Sequence, residues 1–203
     1  MTNDYREDRR VRKTRQAILQ AFLSLTKELG LHAVTVGGIT KRADINRATF
    51  YAHYRDKQDL IDQAISGVLS EWGTAEEERW AGSGNEVDFD RLLPIFVHMF
   101  EKIGEHAEFY RIMLGPGGYP RFAENLREVM CRLIKQGHNR VLELKGARPL
   151  VEPDIYHSYV TSAQLGVITY WLQQDRPHPP EYMAEQLMLM YRLGAVKAAD
   201  YEG

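Results

Sequence analysis

The chain has 203 residues, 44% of them hydrophobic, with 26 Lys+Arg against 28 Asp+Glu and a single cysteine. That balance suits a globular protein with a real core, built as one domain or as a small domain joined to a larger one. No apolar run approaches the roughly 20 residues of a membrane span, and the basic N-terminus lacks the apolar stretch of a signal peptide. Lone Cys131 excludes an internal disulfide or a multi-thiolate zinc cluster; it reads as a small buried side chain in a reducing, cytoplasmic setting.

Apolar residues recur at helical rather than alternating spacing, so the expected fold is all-α, with about nine helices. Ala17, Ile18, Ala21, Phe22 and Leu25 stripe a first helix from about Val11 to Leu29, with Gly30 as its C-cap glycine. Thr35 offers an N-cap hydroxyl to a short helix from about Val36 to Ala43. After Asp44-Ile45-Asn46, a second short helix runs from about Arg47 to Tyr54. Asp56 then caps a longer helix carrying Leu60, Ile61, Ala64, Ile65, Val68, Leu69 and Trp72. Residues 80–88, rich in Gly, Ser, Asn and Asp, read as a loop. Beyond it, Leu92, Leu93, Phe96, Met99, Phe100 and Ile103 share one helical face. A helix from about Ala107 to Leu114 stops at Gly115-Pro116-Gly117-Gly118, and another covers about Pro120 to Lys145, with Gly137 as a potential break. Pro153 starts a helix to Gln174, where proline is tolerated. Pro177, Pro179 and Pro180 separate it from a last helix, about Glu181 to Ala199.

The net charge of -2 hides an asymmetry. Residues 1–60 hold 12 basic and 7 acidic side chains, whereas residues 61–203 hold 14 and 21. A basic head on an acidic body points to a polyanion partner for the head. The plain alternative is a solvated basic tail, since Arg6, Arg9, Arg10, Arg12, Lys13 and Arg15 cluster before the first apolar stripe.

The two short helices decide between these readings. Two helices joined by a three- to four-residue turn form a helix-turn-helix, whose second helix enters the major groove of duplex DNA. Ile39, Ala43, Ile45 and Phe50 are spaced to pack the pair together. Asp44 stands where the chain must turn sharply through a left-handed conformation, and Asn46 suits the N-cap of the recognition helix. That helix presents Arg47, Ala48, Thr49, Tyr51 and His53 outward, with Phe50 and Tyr54 facing the domain. Arg47 has the reach and geometry for a guanine edge or a phosphate, Thr49 for a phosphate or a thymine methyl, and Ala48 permits close approach. Tyr51, His53 and Lys57 can reach phosphates. Thr35, at the start of the motif, completes the DNA-facing set.

From about Thr14 to Ala64 the sequence resembles the TetR family of transcriptional regulators, most specifically in Thr49-Phe50-Tyr51, His53-Tyr54, Lys57 and Leu60. The resemblance implies an Ω-shaped homodimer on a palindromic operator in double-stranded DNA. It implies a DNA-binding domain over 1–56, a ligand-binding and dimerisation domain over 57–203, and repression relieved by a small-molecule effector. On that pattern Thr49, Tyr51, His53 and Lys57 match phosphate or groove contacts, and Arg47 and Ala48 match base-reading positions. The sequence departs from the pattern at Gly37 and Gly38, where the family commonly carries a polar or basic residue followed by an acidic one. Each glycine costs a short helix about 0.5–1 kcal/mol relative to alanine, so a looser head is expected.

The body resembles one subgroup of that family, typified by an activator of dihydroxyacetone kinase genes, in Phe109-Tyr110-Arg111, Met113-Leu114-Gly115, Tyr170-Trp171-Leu172 and Met183-Ala184. A dimer interface is expected from Leu165, Ile168, Trp171 and Leu172 on one helix with Leu187, Met190 and Tyr191 on the next; Met183 and Gly194 extend the second stripe. Trp72, Phe96, Phe100, Phe109, Tyr110, Met113, Met130 and Tyr159 are the candidate lining of an effector pocket, with plain core as the alternative for each. His98, Glu101, Glu105 and His106 read as a solvated face rather than a metal site. No dinucleotide, phosphate-loop, zinc-protease or nucleophile-elbow motif occurs, so neither enzyme activity nor a cofactor is expected.

Overall fold

A charged segment without an apolar stripe still forms helix at the N-terminus: α1 runs Thr2–Leu29 rather than starting near Val11. Arg, Lys, Glu and Gln are good helix formers whose helicity carries no hydrophobic periodicity to read. The computed structural model describes residues 2–80, 89–146 and 148–198. Among the described residues there are nine α-helices and no strand.

Gly30 leaves α1 at φ 81°, donating its N–H to the Thr26 carbonyl at 2.9 Å. A 3-10 turn at Leu31–Ala33, which periodicity does not signal, then drops Leu31 into the core. Helices α2 (Val36–Arg42) and α3 (Arg47–Tyr51) follow, and α4 (Lys57–Trp80) leads into the body. Helix α3 stops at Tyr51, short of Tyr54, and beyond it the chain tightens into a turn in which the His53 amide bonds the Phe50 carbonyl only three residues back. Residues 81–88, most of the expected loop, lie outside the described residues.

The body comprises α5 (Phe89–Glu105), α6 (Ala107–Leu114), α7 (Pro120–Lys145), α8 (Pro153–Gln173) and α9 (Pro180–Ala198). Helix α5 lies along α9, and α7 lies between α4 and α8. Helix α7 passes through Gly137 without a break, with that glycine buried, and ends on Gly146 in the left-handed conformation. Helix α9 is interrupted at Gly194, whose φ of 74° is not helical. The α6–α7 turn is so tight that a Cβ on Gly118 would collide with the Met113 carbonyl oxygen.

One apolar cluster runs through both parts. It starts at Ile18, Phe22, Ile39, Phe50 and Leu60 in the head and continues through Trp72, Phe100, Tyr110, Phe122, Trp171 and Leu187. Helix α1 also packs on α6, and Gln58 at the start of α4 donates to the Tyr119 hydroxyl at 2.7 Å. The head is therefore joined to the body by packing as well as by the chain.

Candidate nucleic-acid interface

The head places the side chains expected to face DNA by a series of local caps. Thr35 Oγ1 accepts from the Gly38 amide at 3.1 Å and starts α2. The Ala43 amide closes that helix on the Ile39 carbonyl at 2.8 Å, and Asp44 makes the turn at φ 52°, the left-handed conformation expected of it. Asn46 Oδ1 then accepts from both the amide and the hydroxyl of Thr49, at 2.7 and 2.9 Å, and starts α3. Ile39 and Phe50, both fully buried, bring the two helices into the same apolar cluster as Phe22 and Leu25 of α1. A bidentate ion pair adds to this at the surface: Arg42 holds Glu28 at 2.7 Å and donates to Ser24, tying α2 to α1. It keeps the Glu28 carboxyl below its usual range, chiefly through its hydrogen bonds.

This packing leaves one face of α3 outward. Arg47, Ala48 and Tyr51 are exposed there, and Thr49 and His53 are half-buried beside them. Arg9, Arg10, Arg12, Lys13 and Arg15 of α1 are exposed on the same domain. Burial, with the nearby Arg15 charge, holds the His53 imidazole below the usual histidine range, so it is neutral at pH 7. Its ring then offers one N–H donor and one acceptor.

Besides Thr35, whose hydroxyl oxygen caps α2, two further expected contacts have intramolecular partners. Thr49 Oγ1 donates to the Asn46 cap, so its hydroxyl proton is engaged. Lys57 Nζ donates to the Leu31 carbonyl at 3.1 Å and pins the 3-10 turn to the start of α4, with two further ammonium donors left over. Sequence spacing cannot show this, because the partners are 26 positions apart and meet only through tertiary packing.

Gly37 and Gly38 differ in their surroundings. A Cβ on Gly38 would make ordinary contacts, 3.5 Å from Leu25 Cδ1 and from Thr35 Oγ1. A Cβ on Gly37 would lie 3.1 Å from Arg47 Nη2, because the Arg47 guanidinium folds back over the first turn of α2.

In the body, the expected pocket lining packs on itself. Trp72, Phe96, Phe100, Phe109, Tyr110, Met113 and Met130 are all buried, and Tyr159 is exposed on α8. Trp72 Nε1 donates to the Tyr110 hydroxyl at 2.7 Å, and burial drives that phenol's pKa upward. Phe109 and Phe122 meet edge to face at 5.3 Å, as do Phe100 and Trp171 at 5.2 Å. The polar tips of Trp72 and Tyr110 are thus paired with each other, and Trp171 Nε1 donates to the His178 carbonyl at 2.8 Å. An open cleft of about 660 Å³ lies instead between α4 and α7, with Ile65, Leu69, Val129 and Leu133 among the polar side chains of Asp62, Arg121 and Arg132.

The expected dimer stripe is also largely internal. Ile168, Trp171, Leu172 and Leu187 are buried within their own chain, and Leu165, Met190 and Tyr191 are half-buried. The reason is that α9 packs on α5, where Tyr191 lies 5.8 Å from Phe96, while α8 packs on α7 and α6. Tyr159, Tyr170, Tyr182, Leu189 and Leu193 occupy the exposed faces of α8 and α9. Arg111 of the Phe-Tyr-Arg run has a structural part, donating to the Leu172 carbonyl and to Asp175 and so tying α6 to the end of α8.

The polar face on α5 acquires a third element. Glu71 from α4 joins Glu105 and His106, their ligand atoms lying within 4.8 Å of one another. His106 pairs with Glu71 at 3.3 Å, and Lys102 neutralises Glu105 at 2.7 Å. Each of the three groups thus has a polar partner within the protein.

A three-helix, helix-turn-helix head on a helical body defines a class of DNA-binding regulators. The N-terminal model of the family described as bacterial regulatory proteins, tetR family, matches residues 18–64, and a model described as a transcriptional regulator C-terminal region, TetR_C_8, matches residues 90–192. The chain belongs to the TetR family. It is 25% identical over 182 residues to the uncharacterized HTH-type transcriptional regulator YxbF of Bacillus subtilis, covering 89% of this chain but only 45% of that protein. It is 23% identical to the transcriptional repressor KstR2 of Mycobacterium tuberculosis, covering 92% of this chain and 95% of the repressor. Its fold is that of the regulator FadR of Bacillus subtilis, solved in complex with stearoyl-CoA, at a TM-score of 0.59 and 14% identity over 86% of this chain and 96% of that one. Among the described residues no helix is long and apolar enough to cross a membrane.

Proposed function

We propose that the protein is a sequence-specific transcriptional repressor that binds a palindromic operator as a homodimer and is released by a small-molecule effector. The observation that carries this reading is the exposed face of α3, where Arg47, Ala48 and Tyr51 stand clear of a head whose own polar groups are capped. Arg47 and Ala48 read bases in the major groove; Thr35, Thr49, Tyr51, His53 and Lys57 position the backbone. Likeness to the repressor KstR2 along nearly the whole of both chains supports repression. The dimer uses α8 and α9, through the faces bearing Tyr159, Tyr170, Tyr182 and Leu189, with the half-buried Leu165, Met190 and Tyr191 at their margin. An effector enters by prising open the aromatic cluster of Trp72, Tyr110 and their neighbours, and so favours one separation of the two heads.

Selection of bound fragments from the host genome tests this. The expected result is a palindromic site, bound by a dimer more tightly than random DNA by a factor on the order of 10³ or more at physiological salt. Uniform binding to every fragment would make the protein a nucleoid-type binder instead, and a monomer on DNA by light scattering would remove the dimer. The subgroup likeness of the body adds one outcome to look for: a selected site beside a dihydroxyacetone kinase gene.

A further inference from the structure

We infer that Gly37 is a specificity-determining positioning residue: its missing side chain gives the Arg47 guanidinium a seat on α2, and that seat sets which way Arg47 faces DNA. The inference rests on the reading of Arg47 as a base-contacting residue given above. Arg47 is the first residue of α3 and is exposed, so nothing on its own helix fixes its long side chain. A free arginine samples many rotamers, and ordering it on DNA costs entropy that a preformed seat removes. Here the guanidinium reaches across the turn to the second residue of α2, with Nη2 at 3.1 Å and Cζ at 4.0 Å from where a Gly37 Cβ would stand.

Any side chain at position 37 has to move that group by a few tenths of an ångström or displace it altogether. Bidentate readout of a base edge depends on the plane and direction of the guanidinium, so a displaced arginine reads the base pair differently. Position 38 has no such part, since its Cβ would meet only Leu25 and Thr35 at ordinary contact distance. The two neighbouring glycines are thus distinct: one is a spacer for Arg47, and the other is a replaceable helix residue.

The test uses the full-length protein, selecting randomised operators with the wild type, Gly37→Ala, Gly38→Ala, Arg47→Ala and the double variant Gly37→Ala/Arg47→Ala. Gly37→Ala is expected to reduce discrimination roughly tenfold at the base pair that Arg47→Ala relaxes. Other base pairs and the salt dependence should be unaffected, and the melting temperature should rise slightly, as it should in Gly38→Ala, because alanine favours the helix. Gly38→Ala should select as the wild type does, and the double variant should match Arg47→Ala. Wild-type selectivity in Gly37→Ala overturns the inference, and so does an undiminished effect of Gly37→Ala when Arg47 is already alanine. If the wild type selects no sequence, the repressor reading fails. The seat is still tested in the free protein, where the Arg47 Nε–H resonance must shift in Gly37→Ala and stay in place in Gly38→Ala. An unshifted resonance in Gly37→Ala refutes it.

Discussion

The head and the body are both helical and share one apolar cluster, yet they hold their polar groups in different ways. In the head, the caps that start α2 and α3 lie within three residues of what they bind, Thr35 on Gly38 and Asn46 on Thr49, with Arg42 on Glu28 and Lys57 on Leu31 as longer ties. In the body, the polar contacts span the chain: Trp72 on Tyr110, Arg111 on Leu172 and Asp175, His138 on His157. Local caps depend on residue type and close spacing, so a helix-turn-helix can be named from a short stretch of sequence. Long-range pairs exist only after folding, so an aromatic stripe in the body does not declare whether it is core, pocket or interface.

The largest effects bear on how separable the two parts are. Phe50→Ala in the head and Phe122→Ala in the body each remove a fully buried ring and should each cost about 3–5 kcal/mol. Because the cluster is continuous, calorimetry should show a single transition lowered by either change. Two transitions, with Phe50→Ala moving only one, would divide the molecule at α4.

Arg47→Ala comes next. It should cost roughly 1–3 kcal/mol in operator binding and relax preference at one base pair per half-site, measured against a panel of single-substitution operators. Equal loss on every sequence would move Arg47 from base reading to phosphate positioning.

Lys57→Ala asks whether a residue on the border serves the head, the body or DNA. A phosphate role predicts a salt dependence shallower by about one unit per protomer, with sequence preference kept. A purely internal tie to the Leu31 carbonyl predicts an unchanged slope and a lower melting temperature.

The smallest effect lies in the body and is read by pH. His157 is buried, and burial, then the neighbouring His138 and Lys135 charges, hold its pKa below the usual 6.5. Its neutral form is favoured in the folded state, so its contribution is present above about pH 6.5 and lost as pH falls through the depressed folded value. Denaturant unfolding between pH 7.5 and 5 should show the wild type losing stability faster than His157→Gln, whereas a parallel loss would place the proton elsewhere.

The sequence by itself determined the all-helical class, the position of the DNA-binding motif, the left-handed turn at Asp44 and the caps at Thr35, Asn46 and Asp56. Each of these depends on interactions between residues a few positions apart, where residue type and spacing carry the physics. Helical periodicity also placed Trp171 and Leu187 on apolar faces, but which neighbour those faces meet is a matter of how α9 settles on α5. Only the tertiary structure decided that these residues are core, that Lys57 leans on Leu31, that Glu71 joins Glu105 and His106, and that Arg47 rests on Gly37. Those contacts join separate elements, and their distances are set by packing rather than by the order of residues along the chain.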